Sequence, residues 1–174
     1  MFEKIPKPTY DTIPKVNIVG FTGTKYGCTM NQLASLKMVV EALDPYIVHH
    51  GDCQGADLEF HLLCIKLGVV GYEIHPPNIN VYRAYAHLCS QHPKTPQEGN
   101  TIIHEEKPYL VRNHDIVDAV SLMIVCPNEF KEQIRSGTWA TFRYTRNSNK
   151  DYIIIFPDGS IEFKQTLKNK QTEL

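Results

Sequence analysis

Residues 16–29 read VNIVGFTGTKYGCT, and residues 30–43, which follow, read MNQLASLKMVVEAL. Val16 to Thr22 is a short apolar run ending among glycines, which suits a buried strand. Thr29 and Gln32 stand at the spacing of a capping box, in which a hydroxyl and an amide each satisfy a free backbone N–H at a helix start. Behind them Leu33, Leu36, Val40 and Leu43 recur at helical spacing on one face, and Pro45 stops the run. A strand, a glycine-rich bend and a capped amphipathic helix make the first half of a βα unit.

Working outward, the alternation continues. Strands are expected at 46–50 (YIVHH), 69–75, 120–126 (VSLMIVC) and 152–156 (YIIIF). The last is a continuous apolar run of the kind buried on both faces of a sheet. Helices are expected behind Gly55, where Ala56, Phe60, Leu63, Cys64 and Leu67 share a face and Gly68 caps, and over Pro108–Ala119 and Gly137–Asn147. Pro157-Asp158-Gly159 has turn chemistry, so Ser160–Phe163 returns as an antiparallel edge strand. Strands alternating with helices give an α/β class with a mostly parallel sheet flanked by helices and closed by a C-terminal antiparallel edge hairpin. The domain reading is an arm at 1–15, one domain at 16–163 and a polar tail at 164–174. Within it, residues 78–107 carry Pro93, Pro96 and Gly99 and read as an irregular insertion with a short helix near Tyr82–Cys89, placed as a lid.

The chain has 174 residues, 18 Lys+Arg against 19 Asp+Glu, and 42% apolar residues. One soluble domain of this size folds without a metal or disulfide. The formal net charge of −1 excludes a uniformly basic nucleic-acid-binding surface. No apolar run is long enough to span a bilayer, and the N-terminus lacks a signal-peptide core, so no membrane partner is expected. Cys28, Cys53, Cys64, Cys89 and Cys126 are odd in number and form no C-x-x-C pair, which points to free thiols in a reducing cytoplasm.

In parallel sheets ligands sit beyond the carboxyl ends of the strands. The first strand runs into Thr22, Gly23, Thr24 and Lys25, a glycine- and hydroxyl-rich bend whose N–H groups suit an anion. The second runs into His49-His50-Gly51-Asp52-Cys53-Gln54-Gly55-Ala56-Asp57, where Gly51 and Gly55 permit close backbone approach and Asp52 or Asp57 suits ribose hydroxyls. A metal bound by His49, His50, Cys53 and Asp52 is disfavoured, because neighbouring strand histidines point to opposite faces. No metal or cofactor is therefore expected. The fourth strand leads to Arg135, Ser136, Gly137 and Thr138 at another helix start. Arg112-Asn113, on the preceding helix, pairs a phosphate clamp with a sugar- or base-binding amide. Arg83 is placed to reach a ligand from the lid. The basic bias of 131–150 reads as a solvated helix face, and Trp139 with Phe142 as core.

Taken together, VGFTGTKYGCT (19–29), HHGDCQGAD (49–57), IHPPN (74–78), YLVRNHDIVDAVSLMIVCP (109–127), RSGTWATFRYTR (135–146) and IIIFPDG (153–159) resemble the SLOG superfamily. It groups YspA-type domains, LOG-type nucleotide phosphoribohydrolases and the DNA-processing protein DprA. The resemblance spans about residues 16–159, nearest to the small YspA-like proteins. It implies a Rossmann-like fold and a nucleotide-derived ligand held by Gly23 and Thr24, by Gly51, Asp52, Gly55 and Asp57, and by Ser136, Gly137 and Thr138, with Arg112 matching an arginine before the fourth strand. Relatives often pair as homodimers. One position departs: LOG-type enzymes carry a glutamate four residues after the Gly of their Gly-Thr, where this chain has Thr141, which cannot supply a carboxylate.

The leading expectation is a protein that binds or senses a nucleotide-derived small molecule, ADP-ribose-like, cyclic or a nucleoside phosphate. The alternative is an N-glycoside hydrolase in which Asp52 or Asp57 replaces the missing glutamate. The third is single-stranded nucleic-acid binding, against which the near-neutral charge argues.

Overall fold

The computed structural model describes residues 13–94 and 99–165. Residues 1–12 of the expected arm and 166–174 of the expected tail lie outside them, as do 95–98. Seven strands form one sheet: β1 (Ile18–Gly23), β2 (Ile47–His50), β3 (Gly71–Ile74), β4 (Asn100–Ile103), β5 (Leu122–Cys126), β6 (Asp151–Ile155) and β7 (Ile161–Lys164). Their order is β4-β3-β2-β1-β5-β6-β7, parallel throughout except for the antiparallel β6–β7 pair. The helices are α1 (Met30–Leu43), α2 (Ala56–Lys66), α3 (Tyr109–Ala119) and α4 (Gly137–Asn147). This is the expected α/β sheet with its edge hairpin. None of the helices among the described residues is long and apolar enough to cross a membrane.

Period-two alternation divides the core between the two faces. Leu122 and Ile124 of β5 and Ile153 and Ile155 of β6 join Val19, Phe21, Leu36, Val40 and Phe60 beneath α1 and α2. Met123, Val125, Tyr152 and Ile154 join Ile116, Val117, Trp139 and Phe142 beneath α3 and α4. Trp139 and Phe142 are core, as their spacing indicated. Leu36 has no exposed surface, and Leu36→Ala would cost about 2–5 kcal/mol. The capping box at Thr29 and Gln32 forms, with contacts of 3.0 Å each way. Gln32 Nε2 also donates to the carbonyls of Pro127 (2.8 Å) and Ile155 (2.9 Å), tying α1 to the ends of β5 and β6.

Three differences from the sequence reading matter. Residues 78–107 contain strand β4, which pairs in parallel with β3 along its full length. The expected helix near Tyr82–Cys89 is instead two 3-10 turns, Asn80–Tyr82 and Ala86–Leu88. Lys164, assigned to the tail, closes β7 opposite Tyr152. Within residues 13–15, Ile13 is buried against the first core and Lys15 pairs with Asp44 at 2.7 Å.

Candidate functional site

The chain order reverses at β1, with β2 on one side and β5 on the other, which is the switch point where such sheets open a crevice. A cleft of about 430 Å³ lies there. Its volume suits a small organic ligand. Thr22 and Gly23 at the end of β1 and Thr24, Lys25 and Tyr26 after it line the cleft, with Cys53 from the loop after β2 and Asp57 from the first turn of α2. Tyr109, Leu110, Arg112 and Asn113 face it from α3. Asn128, Glu129, Arg135, Ser136, Gly137 and Thr138 close the far side, with Tyr82 at the rim.

The glycines do different work from one another. A Cβ on Gly137 would meet nothing within 4 Å, so packing does not demand glycine at this edge of the cleft. A Cβ on Gly51 would fall 1.2 Å from Arg112 Nη1, so Gly51 gives the guanidinium its bed against the β2 loop. Gly55 has φ +80°, and its Cβ would lie 2.3 Å from the Lys25 carbonyl oxygen. It lets the loops after β1 and β2 abut, and Ala56 N donates to Thr24 O across that junction at 3.0 Å. Gly51 and Gly55 therefore stand behind the cleft wall rather than in it.

Arg112 is the central cation. It is 4% exposed. Its Nη2 donates to Cys53 Sγ at 2.9 Å, the guanidinium lies 5.5 Å from the Tyr109 ring centroid, and the buried Nε has no hydrogen-bond partner among the described residues. A buried donor without a partner costs about 1–3 kcal/mol, more when it is charged. Asp57 stands on the same wall, 5% exposed, accepting from Cys53 N at 3.2 Å. Burial pushes its carboxyl up to about 6, against the lowering effect of Arg112. At neutral pH Asp57 is thus close enough to its pKa to accept or donate a proton. Burial pushes the Cys53 thiol up to about 12, which makes it a thiol and not a nucleophile at neutral pH.

Asp52 is elsewhere. It has no exposed surface and φ 57°, and it accepts from Arg83 Nε at 3.0 Å and from Ala86 N at 2.9 Å. Arg83 also pairs with Glu106 and lies 4.4 Å from the Tyr85 ring centroid. Both charges are spent on fastening the 80–88 segment to the loop after β2. Gln54 N completes the fastening by donating to Tyr82 O at 2.7 Å. The fastening brings Tyr82 to the rim, where Lys25 Nζ sits 4.4 Å from its ring centroid.

Thr141, at the position of the missing glutamate, is buried. It donates to Gly137 O at 2.9 Å and accepts from Asn113 Nδ2 at 2.8 Å, so it ties α4 to α3. The basic residues of 131–150 are largely engaged. Arg143 and Arg146 pair with Glu132 at 3.2 and 3.3 Å, and Lys150 donates to Val120 O at 2.8 Å.

Of the residues named from sequence, Thr22, Gly23, Thr24, Lys25, Asp57, Arg112, Asn113, Ser136, Gly137 and Thr138 converge on the cleft, while Gly51, Asp52 and Gly55 do not line it. Tyr26, Tyr82, Tyr109, Leu110, Asn128 and Glu129 were not foreseen as lining. Tyr109 had a signal, since it stands one helical turn before Arg112 on the same face. Tyr82 had none, because its position depends on the Asp52–Arg83 pair.

No protein-family profile matches the chain, and neither does any curated protein. Among solved structures, the chain is similar to DNA processing protein A (DprA) from Streptococcus pneumoniae, with a TM-score of 0.57 at 18% identity. That match covers 80% of this chain and 50% of DprA, so the chain spans half the length of that protein. It is also similar to the structural-genomics target TM1055, with a TM-score of 0.50 at 9% identity, covering 78% of this chain and 72% of the other. In its fold, the chain is a Rossmann-like α/β protein similar to part of DprA.

Proposed function

We propose that the protein binds a nucleotide-derived small molecule in the cleft between the β1 turn and the start of α4. The observation that carries this reading is Arg112, a buried cation on the cleft wall with an unpartnered Nε. A phosphate there would form the charge-assisted bonds that a guanidinium favours. The threonines at 22, 24 and 138 and the backbone of Gly23 and Gly137 offer further donors, while Tyr26, Tyr82 and Tyr109 offer faces for a base. The test is native mass spectrometry and calorimetry with AMP, NAD, ADP-ribose and cyclic nucleotides. At least one is expected to bind with sub-millimolar affinity and to be retained intact. Failure of all of them overturns the reading.

A second reading, N-glycosidic hydrolysis, is favoured by one observation, the buried Asp57 with its raised pKa. Asp57 rather than Asp52 would face the ribosyl carbon, because Asp52 is locked to Arg83. Release of free base from the same panel, abolished in Asp57→Asn while binding persists, is the expected signature. Single-stranded nucleic acid fits less well, because Arg143 and Arg146 are already paired to Glu132.

A further inference from the structure

Outside the cleft, the parallel ladder gathers a second set of chemistry-bearing side chains. His49 of β2 stands opposite Gly20 and Glu73 in register, on the face that carries α3. His75 follows Glu73 by two residues and so returns to that face. His104 extends β4 and donates its backbone N–H to Ile74 O at 2.9 Å, which sets it beside His75. The His75 and His104 rings stack with centroids 4.0 Å apart. Three strand ends thus deliver three imidazoles and a carboxylate to one place.

The distances are those of a ligand set. His49 Nδ1 and His75 Nε2 lie 3.0 Å apart, and His49 Nδ1 lies 3.9 Å from Glu73 Oε2. One ligand atom from each of His49, Glu73 and His75 falls within 4.8 Å of the other two. Two bonds of about 2.0 Å at a tetrahedral ion span roughly 3.3 Å, so small side-chain adjustments close the triangle. His49 and His75 are each 3% exposed, which leaves them little rotamer freedom. His104 Nε2 contacts Glu73 Oε2 at 2.7 Å, the outer contact that orients a carboxylate ligand. Two cations also act on His75: Arg112 of the cleft wall, and Lys107, which is held by Asp115 at 2.7 Å.

We propose that His49, Glu73 and His75 form a binding site for a first-row divalent transition-metal ion such as zinc, with His104 orienting the glutamate. Two imidazoles and one carboxylate select a borderline ion over magnesium or calcium. Three protein ligands also leave a coordination position open. The site shares no ligand residue with the cleft, and its metal readouts need no nucleotide, so either proposal can fail alone.

The test uses the full chain, treated with chelator and then titrated with zinc, with cobalt as a spectroscopic probe and magnesium as a control. One zinc per chain is expected, with a rise in melting temperature, a four-coordinate cobalt spectrum and no response to magnesium. His75→Ala should abolish uptake. Glu73→Gln, nearly isosteric and partly exposed, should retain the fold by circular dichroism while losing at least tenfold in affinity. His104→Gln should lose about 10–100-fold. Two results overturn the proposal: no uptake of zinc or cobalt by the folded protein, or uptake that persists unchanged in both His75→Ala and Glu73→Gln.

Discussion

His49 and His50 are neighbours in β2, and the sheet sends them into opposite environments. His50 enters a closed chain on the α2 face. Its Nδ1 accepts from Asp52 N at 3.1 Å, so its Nε2–H donates to His61 Nδ1 at 2.9 Å. His61 Nε2–H then donates to His92 Nδ1 at 3.0 Å, and His92 Nε2–H to Thr101 Oγ1 at 2.8 Å. One backbone N–H fixes every tautomer along the row. On the α3 face, His49 and His75 share a single contact beside a partly exposed Glu73 and His104. The first group is a finished polar core, whose partners are all protein. The second holds two ring nitrogens, one of them protonated in the His49–His75 hydrogen bond, and a carboxylate oxygen, all within 4.8 Å of one another. A satisfied buried network fixes a structure, whereas a convergent one with an open side suits a ligand.

The largest effect should come from breaking the closed chain. His61→Ala removes the acceptor of His50 and the donor to His92 at once and leaves a void. The expected loss is about 3–5 kcal/mol in urea denaturation. The same chain sets the acid response. Burial holds His61 down to about 3 and His50 and His92 below their ordinary value. The folded state therefore binds fewer protons than the unfolded chain below about pH 6.5. The stability from these imidazoles is complete above that pH and is lost as pH falls towards 3. Asp57 acts in reverse, because its raised pKa favours the folded state below about 4 and that contribution is lost as pH rises through about 6. The histidines outnumber it, so the urea midpoint should drop between about pH 7 and pH 5. The drop should be shallower in His61→Ala, and an equal drop would remove the closed chain as its cause.

Next in size are the cleft variants. Arg112→Ala should weaken whichever nucleotide binds on the order of 10–100-fold, the worth of one charge-assisted contact. Gly51→Ala separates support from contact. The atoms nearest the added methyl all belong to the end of the Arg112 side chain, so the fold should survive while the guanidinium is displaced. A loss of about tenfold in affinity with a near-normal melting temperature is the expected outcome. Unchanged affinity would mean that the bed of Arg112 does not set its function.

The sequence was most informative where burial is strongest. β5 and β6 were legible because strands covered on both faces must be apolar throughout, and α4 starts where Ser136-Gly137-Thr138 was read as a helix start, with Ser136 as its cap. The glycine- and hydroxyl-rich bend after β1 was legible as a segment at the strand end, and Thr22, Gly23, Thr24 and Lys25 do line the cleft. β4 was not legible. It is a four-residue edge strand, Asn100–Ile103, mostly exposed, so neither face imposed a pattern. The opposite directions of His49 and His50 followed from strand geometry alone. Their partners did not, because His61, His75, His92 and His104 are gathered by inter-strand register and helix docking. Gly51 and Gly55 were read as ligand contacts because glycine signals close approach without naming what approaches. At Gly51 it is Arg112, and at Gly55 it is the Lys25 carbonyl.

The smallest effect tests the contrast from the other side. In chelator-containing buffer, Glu73→Gln should cost less than about 1 kcal/mol, because the Glu73–His104 pair is partly exposed and such pairs contribute little. His61→Ala removes a side chain of the same chemical class as its neighbours across the sheet and should cost several times more. The ordering matters more than either value. If Glu73→Gln proved as damaging as His61→Ala without metal, the α3-face group would be a second finished core, and its convergence on one point would need no ligand to explain it. If the cost stays small, the sheet has placed two buried imidazoles beside a carboxylate that stability does not require. Their arrangement must then be sought in what they bind.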